Sequence, residues 1–158
     1  VLIGSNVLSF GILPPYKSWN VVQSFIKKVI KIIATGSIIK GISQVNLRYL
    51  NFFELNIFEN IKLSINFQGS NITYPSTIFR AEIPSKSNEY INALQITSNI
   101  HLKNPGLKLD ADGSLIDITV VSKKASLANI EDIIEAAHTE AKVLFFDLLK
   151  DDFTKSLI

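Results

Sequence analysis

Apolar residues recur along this chain at two spacings. Trp19, Val22, Ile26, Val29, Ile30 and Ile33 fall at helical intervals and predict an amphipathic helix over 18–34. Ser18 stands at its N-cap position, and Gly36 is the expected stop. Ile130, Ile133, Ile134, Ala137, Ala141, Leu144, Phe145 and Leu148 predict a second helix over 129–149. Asn129 is its expected cap, with Glu131 and Asp132 in its first turn. The residues after it, KDDFTKSLI, read as a terminal turn.

The other spacing is two. In QVNLRYLNFFEL, residues 44–55, one parity holds Val45, Leu47, Tyr49, Asn51, Phe53 and Leu55, and the other holds Asn46, Arg48, Leu50, Phe52 and Glu54. Both sets are largely apolar, which predicts a central strand over 42–55, covered at least in part on both sides. Further strands are expected over 76–83, 89–103 and 115–122, and residues 56–74 are ambiguous. Asn104-Pro105-Gly106 reads as a turn, and so does Asp112-Gly113, a hairpin dipeptide. At the start, Val1–Ile3 and the run before Pro14-Pro15 flank Gly4-Ser5-Asn6 as a hairpin.

This order predicts an α+β fold. A mainly antiparallel sheet of five to seven strands would carry two long helices packed on it, and a ferredoxin-like core with added strands fits the order. With 158 residues and no linker of biased composition, one domain over 1–158 is expected. The chain begins with Val1 and contains no Met. It therefore reads as a fragment that lacks an N-terminal part, and that missing part is an expected partner. Unpaired strand edges recruit partners, so a homodimer through the Val1–Ile3 edge is also expected.

Composition narrows the function classes. The net charge of +2 gives little attraction for nucleic acid. No apolar run reaches the ~18 residues of a membrane span. Without cysteine there is no disulfide, thiolate metal site or cysteine nucleophile, and the redox compartment stays open. Two histidines alone make a poor zinc set. Asp110, Asp112 and Gly113 lack the remaining ligands of a calcium loop, and no Gly-rich phosphate cradle is present. No metal or cofactor is expected. Lys27, Lys28 and Lys31 read as the solvated face of the first helix.

LPPYKSW, NLRYLNFFEL and AAHTEAKVLFFDLL occur here in that order. Together they resemble a sporadically distributed, uncharacterised prokaryotic family. Its pattern is a Pro-Tyr-x-x-Trp turn, a Gly-Leu-Arg-Tyr-Ile-Asn strand and a C-terminal helix with a His followed by a Phe. The matching positions are Pro15, Tyr16 and Trp19; Leu47, Arg48, Tyr49, Leu50 and Asn51; His138 and Phe145. Asn46 stands where the family has Gly. The resemblance spans nearly all of this chain but only the C-terminal part of such a protein, and it implies no reaction.

The candidate site residues are Arg48, Tyr49, Asn51 and His138. Arg48 and Asn51 have opposite parity and so face opposite sides of their strand. Both read as polar anchors, with Arg48 paired to Glu54 or Glu82 and Asn51 satisfying loop backbone. An anion or peptide site around Arg48 is the functional counterpart. His138 reads as a boundary histidine bonded to backbone, and His101 as solvent-facing. No catalytic constellation is apparent. The expectation is a non-enzymatic binding or assembly module of a cytoplasmic protein. The alternative is an enzyme that uses Arg48, Tyr49 or His138 together with a missing N-terminal part.

Overall fold

A computed structural model describes residues 1–4, 6–16, 18–36, 39–71 and 76–157, the side chain of Asn71 excepted. These fall into two compact units, 1–42 and 43–158.

In the first unit Leu2–Ile3 (β1) and Leu8–Ser9 (β2) pair antiparallel, and the Gly4 N–H donates to the Val7 carbonyl at 2.7 Å. The hairpin expected there forms, although Ser5 of its turn lies outside the described residues. Val1, Leu2 and Ile3 are exposed. Trp19–Thr35 forms α1, burying Val22, Ile26 and Ile33 one to three turns apart, as the helical spacing requires. Ser18 makes no side-chain cap bond. Gly36 ends the helix in a right-handed conformation, its N–H donating to the Ile32 carbonyl at 2.9 Å.

The second unit carries the sheet. Its elements are Asn46–Phe53 (β3), the short pair Asn66–Phe67 (β4) and Ser70–Asn71 (β5), Ile78–Pro84 (β6), Tyr90–Asn104 (β7), Leu109–Ser122 (β8), Ile130–Leu148 (α2) and Asp151–Ser156 (α3). The main sheet has the order β3-β8-β7-β6, with every neighbour antiparallel. The fold is α+β with a mainly antiparallel sheet. β6, β7 and β8 follow as hairpins and β3 lies beside β8, which is Greek-key connectivity. No α-helix joins β3 to β6 among the described residues, so the ferredoxin-like topology does not form.

α2 lies across β8, β3 and β7. Leu94, Ile96, Ile116, Ile118 and Val120 from the two middle strands bury against Ile133, Ala137 and Ala141 of α2. Each fully buried Leu, Ile or Val contributes roughly 1.5–3 kcal/mol by leaving water. Residues 56–63 close one end of this core. Ile57 and Ile61 are fully buried, Ile61 bridges Leu149, and the Lys62 N–H donates to the Leu148 carbonyl at 2.7 Å. The expected terminal turn is a short helix, α3, beyond this bridge. Asn129 does not cap α2. Its Oδ1 instead accepts from the Ser126 N–H and hydroxyl, closing the preceding turn.

Two expectations about strands are corrected. β3 is an edge strand, not a central one, because among the described residues β8 alone pairs with it. Asp112-Gly113 is not a turn but lies inside β8; the chain reverses at Asn104–Lys108, where Asn104 Oδ1 accepts from the Leu107 N–H at 3.2 Å. Gly113 serves a different need. A Cβ there would overlap the Phe53 carbonyl oxygen, so only glycine lets β8 pass that close to the end of β3. Opposite Ser114, β7 bulges at Ser98 and Asn99, with Asn99 in the left-handed region at φ 54°.

Candidate functional site

β3 presents alternate side chains to opposite faces, and this splits the candidate residues. Tyr49 and Asn51 share the parity of the face that α2 covers, and Arg48 points to the open face. His138 stands on α2 between the buried Ala137 and Ala141, turned toward β3. The Tyr49 hydroxyl lies 2.7 Å from His138 Nδ1, and the ring centroids are 6.0 Å apart. The structure therefore brings together Tyr49, Asn51 and His138 and leaves Arg48 on the other side of the sheet. It also gives His138 a tyrosine side chain as a partner.

Beside this pair lies a cleft of about 260 Å³, lined by Tyr49, Asn51, Ile118, His138, Ala141, Lys142, Phe145 and Phe146. Small side chains leave the space open: Asn51 comes between Tyr49 and Phe53 on β3, and Ala141 faces it from α2. Phe53 and Phe145 stack with centroids 6.5 Å apart, and Phe145 meets Phe146 edge-on at 5.3 Å. One wall is thus aromatic and the floor aliphatic. The polar groups are the Asn51 amide, the Tyr49–His138 pair and the Lys142 ammonium, and no carboxylate lines the cleft.

Asn51 was expected to satisfy loop backbone, but its half-buried amide makes no hydrogen bond among the described residues. An amide without a protein partner that faces a cleft is open to water or a ligand. Burial pushes the His138 pKa below its ordinary value, and Lys142 pushes the same way against the raising effect of Glu135. The Tyr49 hydroxyl and a neutral imidazole can share one hydrogen bond at Nδ1 in either direction, according to the tautomer.

On the open face Arg48 grips Asp117 of β8 through two bonds, Nε to Oδ1 at 2.9 Å and NH2 to Oδ2 at 2.6 Å. That carboxylate raises the Arg48 pKa further, through this hydrogen bond above all. Asp117 takes the place of the expected Glu54 and Glu82; Glu82 stands on β6, and it is β8 that lies beside β3. The Arg48 side chain is 58% exposed and that of Asp117 14%. A second depression, of about 400 Å³, extends from this pair toward Gln95 and Arg80.

His101 is exposed, as expected, but held between two carboxylates. Its Nδ1 lies 2.9 Å from Asp112 Oδ1 and its Nε2 3.0 Å from Asp110 Oδ1. These contacts, led by the Asp112 hydrogen bond, raise its pKa. Sequence reasoning also missed Asn92, buried on β7, whose amide nitrogen donates to Glu140 at 3.4 Å while its Oδ1 has no partner among the described residues. An Asn among apolar alternators was the available signal. Among the described residues no cluster of His, Asp and Glu could hold a metal, and no helix is long and apolar enough to cross a membrane.

Comparison with protein-family models, with curated proteins and with solved structures gave no match.

Proposed function

We propose that this chain is a ligand-binding module of a cytoplasmic protein, with its site in the cleft between β3 and α2. The ligand class is a small planar apolar molecule with one anionic end. The observation that carries this reading is the unpaired Asn51 amide, facing the same cleft as the Tyr49–His138 pair. The aromatic wall suits a flat apolar body, because offset and edge-on ring contacts add to simple burial. Lys142, in a lining with no carboxylate, favours a negative end.

A binding role suits the lining better than a catalytic one. Apart from the Tyr49 phenol it holds no hydroxyl or thiol nucleophile, and no acid orients His138 from within it. The test is a nuclear magnetic resonance titration of the chain with benzoate, its neutral amide and benzylamine. Benzoate is expected to shift the signals of Tyr49, Asn51, His138 and Phe145 more than the amide does, and benzylamine least. Equal shifts from all three, or shifts located elsewhere, would contradict the reading.

A further inference from the structure

Among the described residues β6 is an outer edge of the main sheet, and its backbone hydrogen bonds can be assigned to one side or the other. The Ser85 N–H donates to the Tyr90 carbonyl at 3.1 Å, and the Ser98 N–H to the Thr77 carbonyl at 3.0 Å. Both pairs continue the register in which Pro84 faces Ile91 and Ile78 faces Thr97. Bonded and non-bonded pairs alternate along an antiparallel ladder. Phe79, Ala81 and Ile83 therefore bond to β7, while Ile78, Arg80 and Glu82 direct their N–H and C=O groups out of the sheet. Pro84 falls in the outward set, where its missing N–H costs the β7 ladder nothing.

We propose that this edge pairs with β6 of a second copy of the chain, antiparallel about a two-fold axis at Ala81. Arg80 of each copy then stands opposite Glu82 of the other, and the two residues exchange both backbone hydrogen bonds. At the ends of the ladder the Ile78 N–H reaches the Pro84 carbonyl of the other copy. The side chains agree with the backbone. Arg80 and Glu82 make no ion pair among the described residues, and the axis sets each against its opposite charge twice over. Ile78, 72% exposed, gains cover. Ala81 is small enough for the close Cα approach, ~4.5 Å, of a non-bonded pair.

Charges on an edge strand also serve to repel other strands, but charges of one sign do that best. A strand that carries its own complement at symmetric positions attracts its copy. The opposite edge lacks this match. By the same alternation, fixed by the Ser122 N–H to the Val45 carbonyl at 2.9 Å, β3 directs Asn46, Arg48, Leu50 and Phe52 outward, with no acid among them. Its arginine is already engaged by Asp117.

Sedimentation velocity of the chain and two charge variants tests the proposal. The chain is expected to dimerise within concentrations up to about 1 mM. Glu82→Arg sets arginine against arginine twice and is expected to weaken association by about tenfold or more. Adding Arg80→Glu to it exchanges the two charges and is expected to restore the dimer. Because the chain has no cysteine, Ala81→Cys gives an independent readout. Two sulfurs across the axis fit disulfide geometry, and air oxidation is expected to yield far more covalent dimer than Lys86→Cys, an exposed loop control. A monomer throughout that range, indifference to Glu82→Arg, or a double variant as weak as the single one would overturn the proposal. So would equal cross-linking of the two cysteine variants, which decides the matter even if a charge variant does not fold.

Discussion

The two faces of β3 meet different surroundings. Arg48, on the open face, is answered by a bidentate carboxylate and remains mostly in water. Asn51, on the covered face, is half-buried beside aromatic rings and unanswered. On the open face the charge of Arg48 is balanced within the sheet. The covered face has left hydrogen-bonding capacity unspent next to a space that apolar side chains could have filled. Paired polarity at the surface adds little stability, and an amide that faces a cleft without a protein partner is left to water or a ligand. The second arrangement is the one that calls for an explanation outside the fold.

Ways to break this comparison begin with the contact that holds β3 in place. Gly113→Ala pushes a methyl into the Phe53 carbonyl, so β3 and β8 must part or the cleft must distort. A loss of about 3 kcal/mol or more is expected, the upper range of overpacking, measurable by urea denaturation. A smaller effect comes from the open face. Arg48→Met removes an exposed partner of a largely covered carboxylate, and about 1 kcal/mol is expected. A loss several times larger would mean that the open face is as critical as the covered one.

The two histidines sharpen the contrast through the signs of their shifts. His138 sits lower than its ordinary 6.5 because of burial, and His101 sits higher because of Asp112 and Asp110. Their imidazole resonances are expected to titrate on opposite sides of that value. The stability consequences also oppose one another. The unfolded chain binds more protons than the fold at His138, so its contribution is complete above pH 6.5 and is lost as pH falls through its folded pKa. At His101 the contribution is complete below 6.5 and is lost as pH rises through its raised pKa.

The sequence carried the local part of this picture. The α2 stripe and the alternation in β7 are periodic enough to read directly, and opposite parity alone placed Arg48 and Asn51 on different faces. What stayed hidden was non-local. Asp-Gly is a turn dipeptide, but here its glycine answers to the Phe53 carbonyl on another strand. Strand order decided the Arg48 partner, and no pattern within 44–55 says that β8 rather than β6 is its neighbour. A lone Asp117 inside LIDITVV was the available hint. Tyr49 and His138 were each visible as candidates, but 89 positions apart along the chain. Their meeting depends on how α2 packs across the sheet, where Ala137 and Ala141 are buried in the core.

The central claim is that Asn51 is kept polar for a ligand and not for the fold. The most direct measurement is a paired determination of stability and benzoate binding for the chain and for Asn51→Leu. Leucine brings apolar surface into a space beside Ile118, Phe145 and Ala141 and removes an unpaired amide. Stability is expected to be unchanged or raised by about 1 kcal/mol, with benzoate binding lost. A destabilised Asn51→Leu protein that still binds benzoate would contradict the claim.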